Sequence, residues 1–128
     1  MRSYAVIVSE WNELVTNALR DGALKTLEDS GPCEVTIYQV PGAWEIPVLA
    51  AALCRKNLAQ GIVALGCILQ GETAHADLLA KDVSSALMRL QTETGVPIGW
   101  GIITPQNAEQ ALDRAGLKLG NKGREAAG

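Results

Sequence analysis

Ile62-Val63-Ala64-Leu65-Gly66-Cys67-Ile68-Leu69 is an apolar run in which no polar residue alternates with the hydrophobic ones. A strand with one face in water carries polar side chains at every second position, so a run without them reads as a strand covered on both faces. Such strands belong to parallel sheets, and parallel neighbours are joined by crossover segments that carry helices. Working outward, Tyr4–Val8, Val35–Val40 and Ile98–Ile103 show the same Ile- and Val-rich character, which predicts four parallel strands.

The segments between these runs carry helical periodicity. Leu14, Val15, Ala18, Leu19, Ala23 and Leu27 share one helix face, with Asn12 as the cap before it and Gly31-Pro32 as the stop after it. A second helix follows Pro41-Gly42 on Ile46, Leu49, Ala50 and Leu53, and it requires Pro47 to lie in its first turn. A third spans about Ala74 to Glu93 on Leu78, Leu79, Val83, Ala86, Leu87 and Leu90, and ends before Gly95 and Pro97. Thr104-Pro105 reads as cap and first-turn proline of a fourth, closed by Gly116, and a fifth begins near Lys122 and is cut short at Gly128. The alternation predicts a flavodoxin-like three-layer α/β sandwich with strand order 2-1-3-4, formed by a single domain over residues 1–128.

Composition narrows the function classes. The chain has 128 residues, 48% hydrophobic and 20% charged, which is ordinary for one globular domain and excludes a disordered or coiled-coil chain. Eleven Lys and Arg against fourteen Asp and Glu give a net charge of -3 without a basic block, so no nucleic-acid partner is expected. Cys33, Cys54 and Cys67 lack paired spacing and sit in apolar surroundings, the pattern of reduced thiols, which favours a cytoplasmic location. No stretch resembles a signal peptide or approaches the ~20 apolar residues of a membrane span, so neither export nor a membrane partner is expected.

In an open α/β sheet the ligand crevice lies beyond the carboxyl ends of the strands. The segments to search are therefore Ser9–Asn12, Val40–Glu45, Cys67–Asp77 and Thr104 onward. After the third strand, Gly66-Cys67-Ile68-Leu69-Gln70-Gly71-Glu72-Thr73 comes close to a nucleotide phosphate loop, but Glu72 stands where the lysine should be and would repel a triphosphate. A single phosphate at the helix start remains compatible with Gly71, Glu72 and Thr73, as does a capped helix with no ligand. His75 is the only histidine, in the first turn of that helix, where imidazole can both take and give a proton near neutral pH. With no ligand-spaced Cys, Asp or Glu beside it, no metal site is expected. Trp11, Trp44 and Trp100 lie at or near strand ends, where an indole can stack on a heterocycle; for Trp44, on an amphipathic helix, core anchoring is the preferred reading. Arg114 and Lys122 bring positive charge near the end, suited to a phosphate or to a helix C-terminus.

Four runs taken together resemble the lumazine synthase family: SEWNE at 9–13, VPGAWEIP at 40–47, LGCILQGETAHAD at 65–77 and EQALDRAGLKLGNKG at 109–123. The pairing of GET-x-H-x-D with a later RAG-x-K-x-GNKG is far more specific than either piece. The resemblance implies condensation of 5-amino-6-ribitylamino-pyrimidinedione with 3,4-dihydroxy-2-butanone 4-phosphate to give 6,7-dimethyl-8-ribityllumazine, in riboflavin biosynthesis. It further implies that Trp11 faces the substrate ring, that Ala43, Trp44, Glu45, Cys67, Ile68 and Leu69 line the pyrimidine and ribityl pocket, and that Glu45 accepts hydrogen bonds from ribityl hydroxyls. Glu72 and Thr73 match the positions whose amides hold the phosphate, His75 the acid/base residue, and Arg114 the phosphate-binding arginine. Trp100 matches an aromatic lid from an adjacent subunit, and Lys122 and Glu125 match polar residues flanking the site. In this family the sites lie between subunits of a pentamer, in some members assembled further into a sixty-subunit shell.

That chemistry needs proton shuttling and anion binding, but neither an enzyme nucleophile nor a cofactor. The chain departs from the family pattern at Gln70, where a basic residue is common, at Ala76, where an aromatic usually follows the histidine, and at Leu117, in place of a threonine. These departures and the short end motivate a second reading, a non-catalytic flavin- or lumazine-binding or shell-forming homologue. A third, an archaeal-type riboflavin synthase, fits the GETAHAD and GNKG runs less well.

Overall fold

The apolar runs pair into one sheet. The computed structural model describes residues 2–10, 13–68 and 75–105. In chain order these form β1 (Arg2–Ser9), α1 (Glu13–Asp29), β2 (Cys33–Val40), a 3-10 turn (Ala43–Glu45), α2 (Ile46–Arg55), β3 (Gly61–Cys67), α3 (Ala76–Thr94) and β4 (Ile98–Ile103). All pairings are parallel and the order is β2-β1-β3-β4, as the alternation of runs and helices predicts. The register sets Val6 beside Ile37 and Val63, and Ala64 beside Trp100.

Two apolar layers sandwich the sheet. On one face Val6, Val8, Val63 and Leu65 meet Val15, Leu19, Ala23 and Leu27 of α1. On the other, Ala5, Ile7, Ile62 and Ala64 meet Ile46, Ala50 and Leu53 of α2 with Val83 and Leu87 of α3. The central strands are therefore buried on both sides; every residue of β3 is buried. β2 departs from the expectation of full coverage. As an edge strand it alternates exposed and half-buried residues, and Ile37 faces solvent.

Other departures follow from helix phase. Leu14 and Leu78, read from the sequence as core positions, are exposed. Each lies one residue off the buried stripe, a rotation of about 100° that carries a side chain from the sheet to the surface. Thr16 is buried in place of Leu14, and its hydroxyl donates to the Glu13 carbonyl. Pro47 occupies the first turn of α2, where its missing N–H costs no hydrogen bond. α3 begins at Ala76, so His75 is its cap residue and lies just outside the first turn, and β3 ends at Cys67 rather than Leu69. At the far end of α3, Gly95 adopts φ 76°, a left-handed conformation that glycine enters without steric cost. Gln91 Oε1 accepts the Ile98 N–H at 2.6 Å and ties the end of α3 to the start of β4. Asn12 and the fourth and fifth helices read from the sequence lie outside the described residues beyond Pro105 or in the gap before Glu13. Cys33, Cys54 and Cys67 are all thiols, two buried and Cys33 half-buried. Among the described residues no helix is long and apolar enough to cross a membrane.

Candidate active site

The strand order dictates where a ligand can sit. The connection from β1 to β2 carries α1 on one face, whereas those from β2 to β3 and from β3 to β4 carry α2 and α3 on the other. The crossovers thus part between β1 and β3, and the crevice of an open α/β sheet forms at the carboxyl ends of such a strand pair. Ser9 ends β1 there, and Cys67 ends β3.

Three chain segments reach this end. After β2, Pro41 and Gly42 lead into the Ala43–Glu45 turn, where Glu45 folds back so that Oε2 accepts the Gly42 N–H at 3.1 Å. Its Oε1 has no partner among the described residues and keeps its capacity to accept hydrogen bonds. Ala43 is buried beneath the turn, while Trp44 is 65% exposed. The core role read for Trp44 is therefore corrected: the residue belongs to a short 3-10 turn that points it outward, before the amphipathic phase of α2 begins.

At the end of β3, Cys67 and Ile68 are both buried but face opposite layers, Cys67 toward α1 and Ile68 toward α2 and α3. The Ile68 N–H donates to the Ile103 carbonyl at 2.9 Å, extending the ladder one residue past the strand. His75 then caps α3, with an exposed side chain and its carbonyl accepting the Leu79 N–H at 2.9 Å. α3 packs against the Ala43–Glu45 turn, so the imidazole and the Glu45 carboxylate belong to adjoining walls of one end of the molecule. A helix N-terminus beside an exposed imidazole favours an anion and supplies a proton-transfer group.

Trp100 lies elsewhere. It stands in mid-β4, 37% exposed, over a shallow cavity of about 130 Å³ shared with Ser84, Leu87, Met88 and Gln91 of α3. Three residues separate it from the end of its strand, about 10 Å along the sheet. Trp11, Leu69, Glu72, Thr73, Arg114, Lys122 and Glu125 lie outside the described residues. The structure thus gathers Ala43, Trp44, Glu45, Cys67, Ile68 and His75 at one end of the sheet and leaves Trp100 apart from them in the single chain. Ser9, within a searched segment but not singled out there, joins that end; its signal is a polar residue closing an apolar strand.

The family model for 6,7-dimethyl-8-ribityllumazine synthase matches residues 2–128. The chain belongs to the lumazine synthase family. It is 43% identical over 125 residues to the 6,7-dimethyl-8-ribityllumazine synthase of Pediococcus pentosaceus, an alignment covering 96% of this chain and 80% of that relative. Against the synthase of the same name from Limosilactobacillus reuteri it is 43% identical over 118 residues, 92% of this chain and 78% of the relative. For that of Streptomyces coelicolor the figures are 44% over 124 residues, 95% and 76%. The four-stranded parallel sheet of order 2-1-3-4 with flanking helices agrees with lumazine synthase as the fold.

Proposed function

We propose that this chain condenses 5-amino-6-ribitylamino-pyrimidinedione with 3,4-dihydroxy-2-butanone 4-phosphate to 6,7-dimethyl-8-ribityllumazine and phosphate, as a transferase of riboflavin biosynthesis. The observation that carries the reading is the family match over residues 2–128, joined to an exposed His75 capping α3 at the carboxyl end of the sheet. The amine attacks the ketone and loses water to form an imine, phosphate departs by elimination, and ring closure releases a second water. Each step moves protons, and none requires a covalent bond to the enzyme.

In this reading His75 carries protons to and from the reacting centre. Glu45 accepts ribityl hydroxyls through the oxygen that Gly42 does not use. Ala43, Trp44, Cys67, Ile68 and Leu69 line the pyrimidine and ribityl pocket, Cys67 through its backbone because its side chain belongs to the α1 layer. Trp11 stacks on the ring, the Glu72 and Thr73 amides with the Arg114 guanidinium hold the phosphate, and Lys122 flanks the site. Trp100 comes from a neighbouring copy, in keeping with its distance from the other residues in one chain. The working form is a cytoplasmic homo-oligomer, pentameric or built further from pentamers, of one-domain subunits over residues 1–128. Exposed Trp44, Val48, Leu78, Met88 and Trp100 support self-association, since monomers rarely expose so many large apolar side chains on one set of elements. Neither the fold nor the relatives favour the non-catalytic alternative.

The test mixes purified protein with both substrates and follows lumazine fluorescence. Product formation well above the uncatalysed rate is expected, and a rate equal to the uncatalysed one overturns the assignment.

A further inference from the structure

Ser9 is the last residue of β1, beside the point where the crossovers part, and is 1% exposed. Its Oγ is, among the described residues, the one buried side-chain polar atom without a hydrogen-bond partner. A buried hydroxyl left so costs stability that alanine would avoid, and native chains satisfy nearly all such groups. A Cβ placed on Gly66 would lie 3.1 Å from Ser9 Oγ, 3.6 Å from Ile46 Cδ1 and 3.7 Å from Ile102 Cγ1, so the hydroxyl lies beside the Gly66 backbone, at a point where the Ile46 and Ile102 side chains also converge. It faces the α2 and α3 layer, the side from which the Ala43–Glu45 turn enters, and Ile46 directly follows Glu45.

We propose that Ser9 is a further substrate-binding residue, whose hydroxyl exchanges a hydrogen bond with a ligand hydroxyl of the polyol chain when the crevice is filled. The inference rests on the ribityl-pyrimidine reading of the site. A serine hydroxyl both gives and accepts, and so does each hydroxyl of a polyol, so the two can serve each other in either direction. Ser9 is 1% exposed, so the groups that cover it have to shift for the polyol to reach it. The satisfied hydroxyl then favours the complex over the free protein.

The full chain and Ser9→Ala are compared by thermal melting, by calorimetric titration with 6,7-dimethyl-8-ribityllumazine, and by steady-state kinetics. S9A is expected to melt at or above the parent's temperature, yet to bind the ribityllumazine roughly three- to tenfold more weakly. Its KM for the ribityl-bearing substrate should rise by a similar factor, with KM for the butanone phosphate and kcat unchanged. Undiminished lumazine affinity in S9A overturns the inference and leaves the enzyme assignment standing. A rise in both KM values together overturns it too, since the hydroxyl would then act through the scaffold. If the parent binds no lumazine, the enzyme assignment itself fails and takes the inference with it.

Discussion

At the residue scale, His75 offers an exposed imidazole at a helix N-terminus, which suits proton transfer and tolerates an anion beside it. Imine formation proceeds slowly without help, so His75→Ala should lower kcat roughly ten- to a hundredfold and leave lumazine affinity nearly intact, as read by stopped-flow turnover and calorimetry. Glu45 holds the Gly42 N–H with Oε2, and in the proposed function Oε1 accepts from the ligand. Glu45→Ala should therefore weaken ribityllumazine binding by roughly tenfold or more, because hydrogen bonds to a carboxylate are the stronger kind. Glu45→Gln, which keeps an accepting oxygen, should lose less; equal losses in the two variants would show that the negative charge, and not the accepting oxygen alone, carries the interaction.

The elements carry predictions of their own. α3 is 19 residues, with about 30 Å between His75 at one end and Gly95 at the other, so its two caps can be altered separately. A Cβ on Gly95 meets nothing within 4 Å, and the cost of Gly95→Ala is conformational alone: about 1 kcal/mol in urea unfolding, with turnover unchanged. Within the sheet, Leu65 is wholly buried at the centre of β3, beside β1 and β4. Leu65→Ala should cost about 2–5 kcal/mol, through lost burial and the cavity left between layers. A loss below 1 kcal/mol would mean the α1 layer is not packed as described.

For the whole molecule, the decisive quantity is assembly. Trp100 stands apart from His75 and Glu45 in one chain, so a site that uses all three has to be completed by a neighbouring copy. Sedimentation should give a particle several times the 13.5 kDa chain, and an active monomer would remove the shared site. Arg114→Ala should raise KM for the butanone phosphate far more than KM for the pyrimidine; equal effects on the two would contradict its phosphate role.

Periodicity alone determined the sheet and its helices, because burial on both faces of β1 and β3 demands continuous apolar runs, and parallel pairing demands crossovers. The GETAHAD and VPGAWEIP runs likewise drew His75 and Glu45 out of the sequence, and both lie toward the carboxyl end of the sheet, in the connections that follow β3 and β2. Phase and edges were decided only in three dimensions. Leu14, Leu78 and Trp44 read as core by type, yet a rotation of one residue or a 3-10 turn sends each into solvent, and the apolar run of β2 does not say that it lies at an edge. Ser9 shows the same limit from the other side. A serine ending a strand looks unremarkable in one dimension, and only the folded chain, with Gly66 alongside, leaves its hydroxyl buried with no partner among the described residues, because hydrogen-bond satisfaction depends on neighbours that the chain order does not reveal.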